Sequence, residues 1–301
     1  MGLADSDCST DHIWFCRVRF ALAICLCTGV VTGCTGNTPA AEDGVDDALR
    51  IVTLAPHLTE LVYTVGAGDR LVGVVAYSDY PQQARSLPVI GDAFRLDPER
   101  LAAVNPDLIL AWDGGNPSEV IDQLSERGYH VARLPADTLA DVANNLLEIG
   151  RLTGRAETAA AHAQAYSEAL ERLAAAHADK APISVFYQVS PQPLYTIGGS
   201  HPIGDMIRLC GGTNLFADLE QMAPVVSLEE VLARNPDVII ASADGAQLDQ
   251  WSRWQSMTAV ANDNLYTVDA SLVTRPSTRM LQGAQQICTR LDSARRARDR
   301  S

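Results

Sequence analysis

Apolar and polar residues alternate along this chain in a pattern that occurs twice. The stretch from Glu99 to Trp112, ERLAAVNPDLILAW, is typical of a short amphipathic helix, a turn at 105–107 and a buried strand. The stretch from Glu229 to Ser242, EEVLARNPDVIIAS, repeats it, and 130 residues separate the two glutamates. An internal repeat of this length predicts two lobes of similar design.

Both copies of the repeat begin with the signals of a helix start. Asp97 is a good N-cap that places Glu99 at the second helical position, and Ser227 with Glu230 forms a capping box that places Glu229 there. Neither Glu99 nor Glu229 is needed for its cap. Two interpretations follow: the acids complement the helix dipole, worth about 0.3–1 kcal/mol each, or they form a symmetric pair of acidic knobs for a partner.

Strand and helix patterns alternate through the rest of the body. This alternation predicts an α/β fold with mostly parallel sheets flanked by helices. In the first half the pattern predicts strands at 50–55, 71–77, 107–112 and 130–134, and helices at 58–65, 116–128 and 139–152. In the second half it predicts strands at 184–189, 238–241 and 265–268, and helices at 203–209, 228–233 and 279–291.

The longest helical pattern, Ala156–Ala178, lies between these halves. At about 1.5 Å per residue it is over 30 Å long, so it predicts a rigid spine between two lobes. The expected domains are therefore an N-terminal lobe at 50–154, a spanning helix at 155–180 and a C-terminal lobe at 181–293. The basic tail at 294–301 is expected to fray into solvent.

The N-terminal segment 1–33 has the pattern of a targeting sequence. Basic residues precede an apolar run, Phe20–Val31, of about 12 residues, which is shorter than the roughly 20 needed to span a bilayer. Small residues before Cys34 predict a lipoprotein cleavage site with Cys34 as the lipidated residue; an ordinary secretory signal is the alternative. Residues 34–49 then form a flexible tether. A periplasmic, membrane-anchored protein is expected, in either the inner or the outer membrane.

Charge and cysteine content narrow the class of protein further. The formal net charge of −14 argues against a nucleic-acid partner. Of the seven cysteines, only Cys210 and Cys288 lie in the body of the chain. In an oxidising compartment they predict one disulfide, with two buried free thiols as the alternative.

Candidate chemistry lies in loops that follow predicted strands, where ligands bind in open α/β sheets. Tyrosine and tryptophan at loop tips offer flat apolar faces with one polar handle, and Gly114 with Gly115 would let a ligand approach the backbone. We expect the loops to converge on one cleft. They are Tyr77-Ser78-Asp79-Tyr80-Pro81, Trp112-Asp113-Gly114-Gly115-Asn116, Tyr195-Thr196-Ile197-Gly198-Gly199 and Thr274-Arg275-Pro276.

These residues resemble a known family. AYSDYPQQA, AWDGGN, the cysteine contexts LCGG and QQIC, and both glutamate–NPD repeats are similar to the cobalamin (vitamin B12)-binding component of a bacterial ABC importer. The resemblance runs from about Arg50 to Leu291. It implies a class III, helical-backbone periplasmic binding protein, with two Rossmann-like lobes joined by one long helix. It also implies capture of cobalamin in the interlobe cleft and delivery to an ABC transporter permease and, through it, its ATPase.

The resemblance assigns roles residue by residue. Tyr77, Trp112 and Tyr195 would contact the corrinoid, with Asp79, Phe94, Gly114, Gly115 and Arg275 as further ligand-site residues. Glu99 and Glu229 would dock arginines on the two permease subunits, and Cys210 and Cys288 match the family's disulfide. Cobalamin is a transported ligand in this interpretation, and neither a cofactor nor a metal is expected.

The chain departs from the family at three places where aromatic residues are expected: Ala93, Met222-Ala223-Pro224 and Ser271-Leu272. Fewer ring contacts are therefore expected.

The nearest alternative ligand is haem or a ferric siderophore on the same scaffold, for which Tyr77 or His201 is an available axial ligand. The six histidines are scattered without zinc-ligand spacing. No nucleophile elbow or phosphate loop indicates an enzyme. A purely structural lipoprotein is the remaining alternative.

Overall fold

Residues 49–242 and 247–298 are described by a computed structural model of the chain. The predicted signal segment 1–33, the lipidation residue Cys34 and the tether up to residue 48 lie outside these residues. No helix in the described ranges is both long and apolar enough to cross a membrane.

The first lobe is a four-stranded parallel sheet with its helices in the connections. Its elements in chain order are β1 (Ile51–Thr53), α1 (Pro56–Thr64), β2 (Leu71–Val74), α2 (Pro98–Val104), β3 (Leu108–Asp113), α3 (Ser118–Glu126), β4 (Val131–Pro135) and α4 (Leu139–Leu152). The strand order is β2-β1-β3-β4. Ile51 pairs with Leu71 on one side and Leu108 on the other. The two central strands, β1 and β3, are mostly apolar because a parallel sheet is covered on both faces.

A single long helix, α5 (Ala156–Ala175), connects the lobes. Its 20 residues span about 30 Å, and it ends before the predicted boundary at 180. Ala159, Ala163 and Tyr166 form its buried face. The small alanines let α5 pack closely on α4.

The second lobe repeats the parallel plan and adds a short hairpin. Its elements are β5 (Ile183–Gln188), β6 (Ser190–Pro191), β7 (Leu194–Tyr195), α6 (Pro202–Leu209), β8 (Gly212–Asn214), α7 (Leu228–Arg234), β9 (Val238–Ser242), α8 (Thr258–Ala261), β10 (Leu265–Val268), α9 (Ala270–Val273) and α10 (Met280–Arg298). The main sheet has the order β10-β9-β5-β8, and β6 pairs antiparallel with β7. The predicted α/β architecture of two lobes joined by one long helix is confirmed.

The two lobes share apolar packing as well as the connecting helix. One cluster of buried side chains includes Leu146 of α4, Ala163 of α5 and Ile203 of α6. The backbone N–H of Leu139 also donates to Asp205 Oδ2 of α6 at 3.1 Å. Both lobes fall within one compact unit, and this shared core limits how far they can separate.

The internal repeat folds the same way in both lobes. Asp97 accepts the N–H groups of the first turn of α2, and Ser227 with Glu230 forms the capping box of α7, as predicted. Each helix then ends at an asparagine in the left-handed conformation, Asn105 at φ 38° and Asn235 at φ 43°. Asparagine is among the few non-glycine residues that tolerate this conformation, which explains why it occupies both positions.

The prediction that residues 294–301 fray into solvent is wrong for the described part of that tail. Helix α10 continues to Arg298, and Arg295 is buried. Its guanidinium donates to the carbonyl oxygens of Ala181, Cys210 and Gly211 at 2.8–2.9 Å. These carbonyls lie just before β5 and just after α6, outside the regular hydrogen bonding of either element, and the guanidinium of Arg295 satisfies them.

The same region holds the disulfide. Cys210, at the end of α6, is joined to Cys288 of α10, and both residues are buried. The bridge and Arg295 together fasten the last helix to the second lobe.

Candidate functional site

The loop that follows β2 carries Tyr77 in a strained and exposed position. The strand ends at Val74, three residues earlier than predicted, and Tyr77 in the following turn adopts φ 67°. A bulky residue rarely occupies this region, and such strain is concentrated at functional sites. The Tyr77 side chain is 81% exposed, so packing within the described chain does not account for the conformation.

Trp112 lies at the carboxyl end of β3 and is half-buried. Its ring meets the His57 imidazole edge to face, with the two centroids 5.1 Å apart. A Cβ on Gly115 would lie 2.0 Å from Trp112 Cδ2. The expectation that Gly115 opens the backbone to a ligand is therefore wrong, because the indole of Trp112 occupies that space. Gly114 is required for a different reason, its φ of 82°.

The side chain of Asn116 holds the loop that follows Trp112 in place through hydrogen bonds. This side chain does not cap the following helix, α3. Its Oδ1 accepts the Trp112 N–H at 2.7 Å, and its Nδ2 donates to the carbonyl oxygens of Leu54 and Ala93 at 2.9 and 2.8 Å. Because the amide side chain is buried and fully bonded, it holds three segments of the first lobe together at this edge of the sheet.

His57 is a buried, neutral imidazole beneath Trp112. Burial, assisted by the charge of Arg275, lowers the pKa of His57 to about 3. Among the described residues, neither His57 Nε2 nor Trp112 Nε1 has a hydrogen-bond partner, although both atoms are buried. Such unpaired groups cost roughly 1–3 kcal/mol each, so this part of the molecule is not optimised for stability alone.

A cluster of charged residues joins the two lobes next to this pair. Glu60 of α1 accepts from Ser277 Oγ at 2.6 Å and lies 3.2 Å from Arg279 Nη1 and 3.5 Å from Arg275 Nη1. Glu60 is 3% exposed, and burial raises its pKa while Ser277 and the two arginines oppose the shift. Two guanidiniums from the second lobe thus compensate one buried carboxylate of the first.

Asp79 and Tyr80 extend the cluster to the molecular surface. Asp79 accepts a hydrogen bond from Arg275, which is the main reason that its pKa is lowered. The guanidinium of Arg279 lies 4.2 Å from the centre of the Tyr80 ring. Asp79 and Arg275, two of the predicted ligand-site residues, are therefore brought together and bind each other across the lobes.

A cavity of about 100 Å³ lies between the lobes beside this cluster. Trp112 and Ala136 line it from the first lobe. The second lobe supplies the rest of the lining, which is Tyr187, Val189, His201, Pro202, Ile203, Met222, Ser242, Val273, Thr274, Pro276 and Met280. Of the three aromatic residues expected to converge, only Trp112 lines this cavity.

Tyr195 lies elsewhere in the second lobe. It is half-buried in β7, pairs with Ser190 and bridges to Val225. Tyr77 and Tyr195 are both absent from the lining of the 100 Å³ cavity, so the structure does not bring the three aromatic residues into that space.

His201 lines the cavity and caps helix α6. Its Nδ1 accepts the backbone N–H of Ile203 at 3.1 Å. Burial lowers its pKa to about 4, with Asp205 opposing the shift, so the ring is neutral near pH 7. Because Nδ1 is the acceptor, the proton is on Nε2, and this tautomer has no free lone pair on Nε2 for a haem iron.

The two predicted docking glutamates occupy matching and exposed positions. Glu99 is the second residue of α2 and Glu229 the second residue of α7. Within the described ranges neither carboxylate has an ion-pair partner closer than 4.0 Å. Phe94, in the turn before α2, is 67% exposed, and its backbone N–H donates to Asp92 Oδ1 at 2.8 Å.

Four residues of the site were not identified from the sequence: His57, Glu60, Ser277 and Arg279. No local motif marks them, because their partners lie far away in the chain. Asn116 was part of a predicted ligand loop, but its bonds to Leu54 and Ala93 were not predicted. In the described ranges no group of three or more His, Cys, Asp or Glu side chains is arranged to hold a metal ion.

Two lobes, one connecting helix, and loops of both lobes meeting at the carboxyl ends of their strands define a class of extracytoplasmic solute receptor. The family described as Periplasmic binding protein matches residues 51–272. The chain belongs to this family, and the family predicted from the sequence is confirmed.

Relatives that carry more specific descriptions cover most of the chain. A vitamin B12-binding protein of Vibrio cholerae is 36% identical over 251 residues, covering 83% of this chain and 91% of the relative. The crystal structure of the periplasmic vitamin B12 binding protein BtuF of Vibrio cholerae matches with a TM-score of 0.77 at 36% identity, covering 82% of this chain and 98% of that one.

A more distant structure shares the fold alone. The periplasmic heme-binding protein RhuT from Roseiflexus sp. RS-1 matches with a TM-score of 0.73 at 21% identity, covering 82% of this chain and 99% of that one. The scaffold is therefore common to receptors whose descriptions name different tetrapyrroles. The fold alone does not identify the ligand, which depends on the residues of the site.

Proposed function

We propose that this protein captures cobalamin or a related corrinoid between its lobes and delivers it to an ABC transporter permease. The observation that carries the proposal is Trp112. At the carboxyl end of β3, its indole lines the interlobe cavity together with second-lobe residues, in a chain 36% identical to a vitamin B12-binding relative. The proposal includes no enzymatic reaction, since the chemistry of the site is binding.

We assign the ligand contacts to three kinds of residue. The exposed rings of Tyr77 and Phe94 offer flat apolar surface at the rim of the first lobe. Trp112 contacts the ligand from the loop that Gly114 and Gly115 shape. Tyr195 is the second-lobe counterpart, and it reaches the ligand outside the small cavity. A ligand of tetrapyrrole size needs far more than 100 Å³, so most of the ring lies outside that space.

Asp79 and Arg275 have a different role in this proposal from the one expected. Each already binds the other across the lobes. We assign them to the rim of the site, where their pairing holds the lobes in register. They contact only polar substituents at the periphery of the ligand.

Glu99 and Glu229 are proposed to dock the permease, with one carboxylate per lobe meeting one basic group per subunit. Their support is the matching position and exposure of the two residues in copies of one repeat. Individually, exposed ion pairs contribute about 0.2–1 kcal/mol. Their effect is therefore on orientation and encounter rate more than on affinity.

The domain organisation is also proposed from the sequence. Residues 1–33 are assigned to a lipoprotein signal peptide, Cys34 to lipidation and the following residues to a tether. We assign residues 50–154 to the first lobe and the residues from 181 to the end of α10 at Arg298 to the second. The segment 155–180, which contains α5, joins them. This organisation places the receptor in the periplasm on a lipid anchor, beside the transporter that it serves.

Calorimetry with cyanocobalamin and haem side by side tests the proposed function. Cyanocobalamin is expected to bind with 1:1 stoichiometry and to quench the fluorescence of Trp112. The variant W112A is expected to weaken binding at least tenfold, while W254F, a change in the apolar cluster of the second lobe, leaves it unchanged. Tight binding of haem with no binding of cyanocobalamin would contradict the proposal.

A further inference from the structure

The described residues that line the 100 Å³ cavity between the lobes are uncharged near pH 7. Its polar groups come from Trp112, Tyr187, His201, Ser242 and Thr274. None of them is charged near pH 7, because burial raises the pKa of Tyr187 to about 12 and lowers that of His201 to about 4. Among the described lining residues there is no lysine, arginine, aspartate or glutamate.

The guanidinium of Arg275 does not line this cavity. Arg275 lies in the chain between Thr274 and Pro276, which both line the cavity. Its guanidinium instead binds Asp79 and Glu60 of the first lobe. The guanidinium of Arg275 is therefore engaged in the ion-pair cluster, and a carboxylate placed in the cavity would have no counter-ion among the described lining residues.

The cavity is nevertheless supplied with hydrogen-bond donors. The helix cap fixes the His201 tautomer with its proton on Nε2, and in the described ranges Nε2 has no partner. The Trp112 indole lines the same cavity, and its N–H is buried and unpaired in the described ranges. With His201 Nε2 and the hydroxyl groups of Tyr187, Ser242 and Thr274, the described lining is polar without being charged. Such a lining favours a neutral ligand group, since an unpaired carboxylate is much costlier to bury than an amide.

The volume limits what can enter. One water occupies about 30 Å³ of liquid, so the cavity holds a group of roughly three or four non-hydrogen atoms. A primary carboxamide on a short arm fits this size and supplies a carbonyl acceptor. Corrinoids carry such carboxamides around the ring, whereas haem carries two carboxylates.

We propose that this cavity is a subsite for one peripheral carboxamide of the corrinoid, and that His201 is a specificity-determining residue that donates to its carbonyl oxygen. The inference rests on the proposed function and extends it. The subsite accepts neutral amides, rejects carboxylates and therefore selects corrinoids against haem. His201 acts as a hydrogen-bond donor there and not as an axial metal ligand.

The test is calorimetry of wild-type protein with cyanocobalamin and with its monocarboxylic acids, in which one side-chain carboxamide is replaced by a carboxylate. At pH 7 at least one of these acids is expected to bind ten or more times more weakly than cyanocobalamin. H201S, which keeps a capping oxygen for α6, is expected to weaken cyanocobalamin binding about three- to tenfold at an unchanged melting temperature.

The outcomes separate the two proposals. If cyanocobalamin itself gives no binding heat, the proposed function fails and the subsite fails with it. If cyanocobalamin binds but every monocarboxylic acid binds within twofold of it, the subsite is wrong and the function stands. Wild-type affinity in folded H201S would likewise overturn the subsite alone.

Discussion

Asp107 and Asp237 perform the same task in the two lobes. Asp107 Oδ2 accepts the backbone N–H of Arg50, just before β1, at 2.8 Å. Asp237 Oδ2 accepts the backbone N–H of Ser184, at the start of β5, also at 2.8 Å. The NPD motif is thus a structural joint that ties the turn after α2 or α7 to the central strand of its lobe. Because the joint is the same, the glutamate that opens each helix is placed the same way.

The asparagines of the two joints give the first prediction. Both sit at positive φ, so N105A and N235A are each expected to lower the free energy of unfolding by about 1–2 kcal/mol. Glycine substitutions are expected to affect the two sites differently. N105G is expected to be nearly neutral, since no other residue bonds the Asn105 side chain in the described ranges. N235G loses two bonds to Thr258, from its Oδ1 and Nδ2, and is expected to cost about 1 kcal/mol.

Urea unfolding of the four variants measures these differences. Equal losses for the two glycine variants would show that the left-handed backbone, and not the Thr258 contacts, sets the requirement for asparagine in both lobes.

The sequence predicted what is local in this fold. The caps of α2 and α7 and the strand of each repeat are determined by residues within a few positions of one another, so the pattern alone was sufficient. The cluster around Glu60 was not predicted, because Ser277 and Arg279 lie more than 200 residues away. The basic tail was misread for a related reason. The charge pattern predicts that Arg295 is exposed to solvent. The carbonyl oxygens of Cys210 and Gly211, to which its guanidinium donates, come close to it only in the folded chain.

The interlobe cluster yields the second prediction. Glu60 is buried between two guanidiniums, so E60A leaves uncompensated charge and is expected to cost about 3–5 kcal/mol of stability. Asp79 pairs with the same Arg275 but is half-exposed, and D79A is expected to cost less than about 1 kcal/mol. Urea unfolding at pH 7 measures both losses.

E60Q provides the matched control. It keeps an acceptor for Ser277 and removes the charge, so its loss should fall between those of E60A and D79A. Comparable losses for E60A and D79A would mean that water or local movement compensates the Glu60 site, and the cluster would then be no tighter than a surface pair.

Acid sensitivity is the third prediction. The pKa of His57 falls from 6.5 to about 3 on folding. Between these values the unfolded chain binds a proton that the native imidazole does not bind. The free energy of unfolding should therefore decrease as pH falls below 6.5, by up to about 1.4 kcal/mol per pH unit from this residue. The buried His201, with a pKa of about 4, contributes in the same direction.

Stability curves from pH 7 to pH 4 test this. H57Q cannot be protonated and should show a shallower slope than the wild type. H162Q removes an exposed histidine of α5 and should keep the wild-type slope. Parallel curves for H57Q and the wild type would mean that native His57 is protonated in this range.

The fourth prediction concerns transport. The double variant E99K/E229K reverses the charge at both proposed docking positions and is expected to abolish corrinoid uptake. Each glutamate is at the second position of a short helix, so the change also removes a favourable interaction with the helix dipole, worth about 0.3–1 kcal/mol. That loss is too small to unfold a domain. Uptake by cells that depend on imported corrinoid measures the effect.

Ligand affinity distinguishes docking from binding. Both carboxylates lie on exposed helix starts and neither lines the interlobe cavity, so the double variant should bind cyanocobalamin as tightly as the wild type. E119K reverses an equally exposed acid in the first turn of α3 and should leave uptake intact. Each single variant should retain partial uptake, because the other lobe still presents its carboxylate. Wild-type uptake by the double variant would show that the permease recognises a different surface.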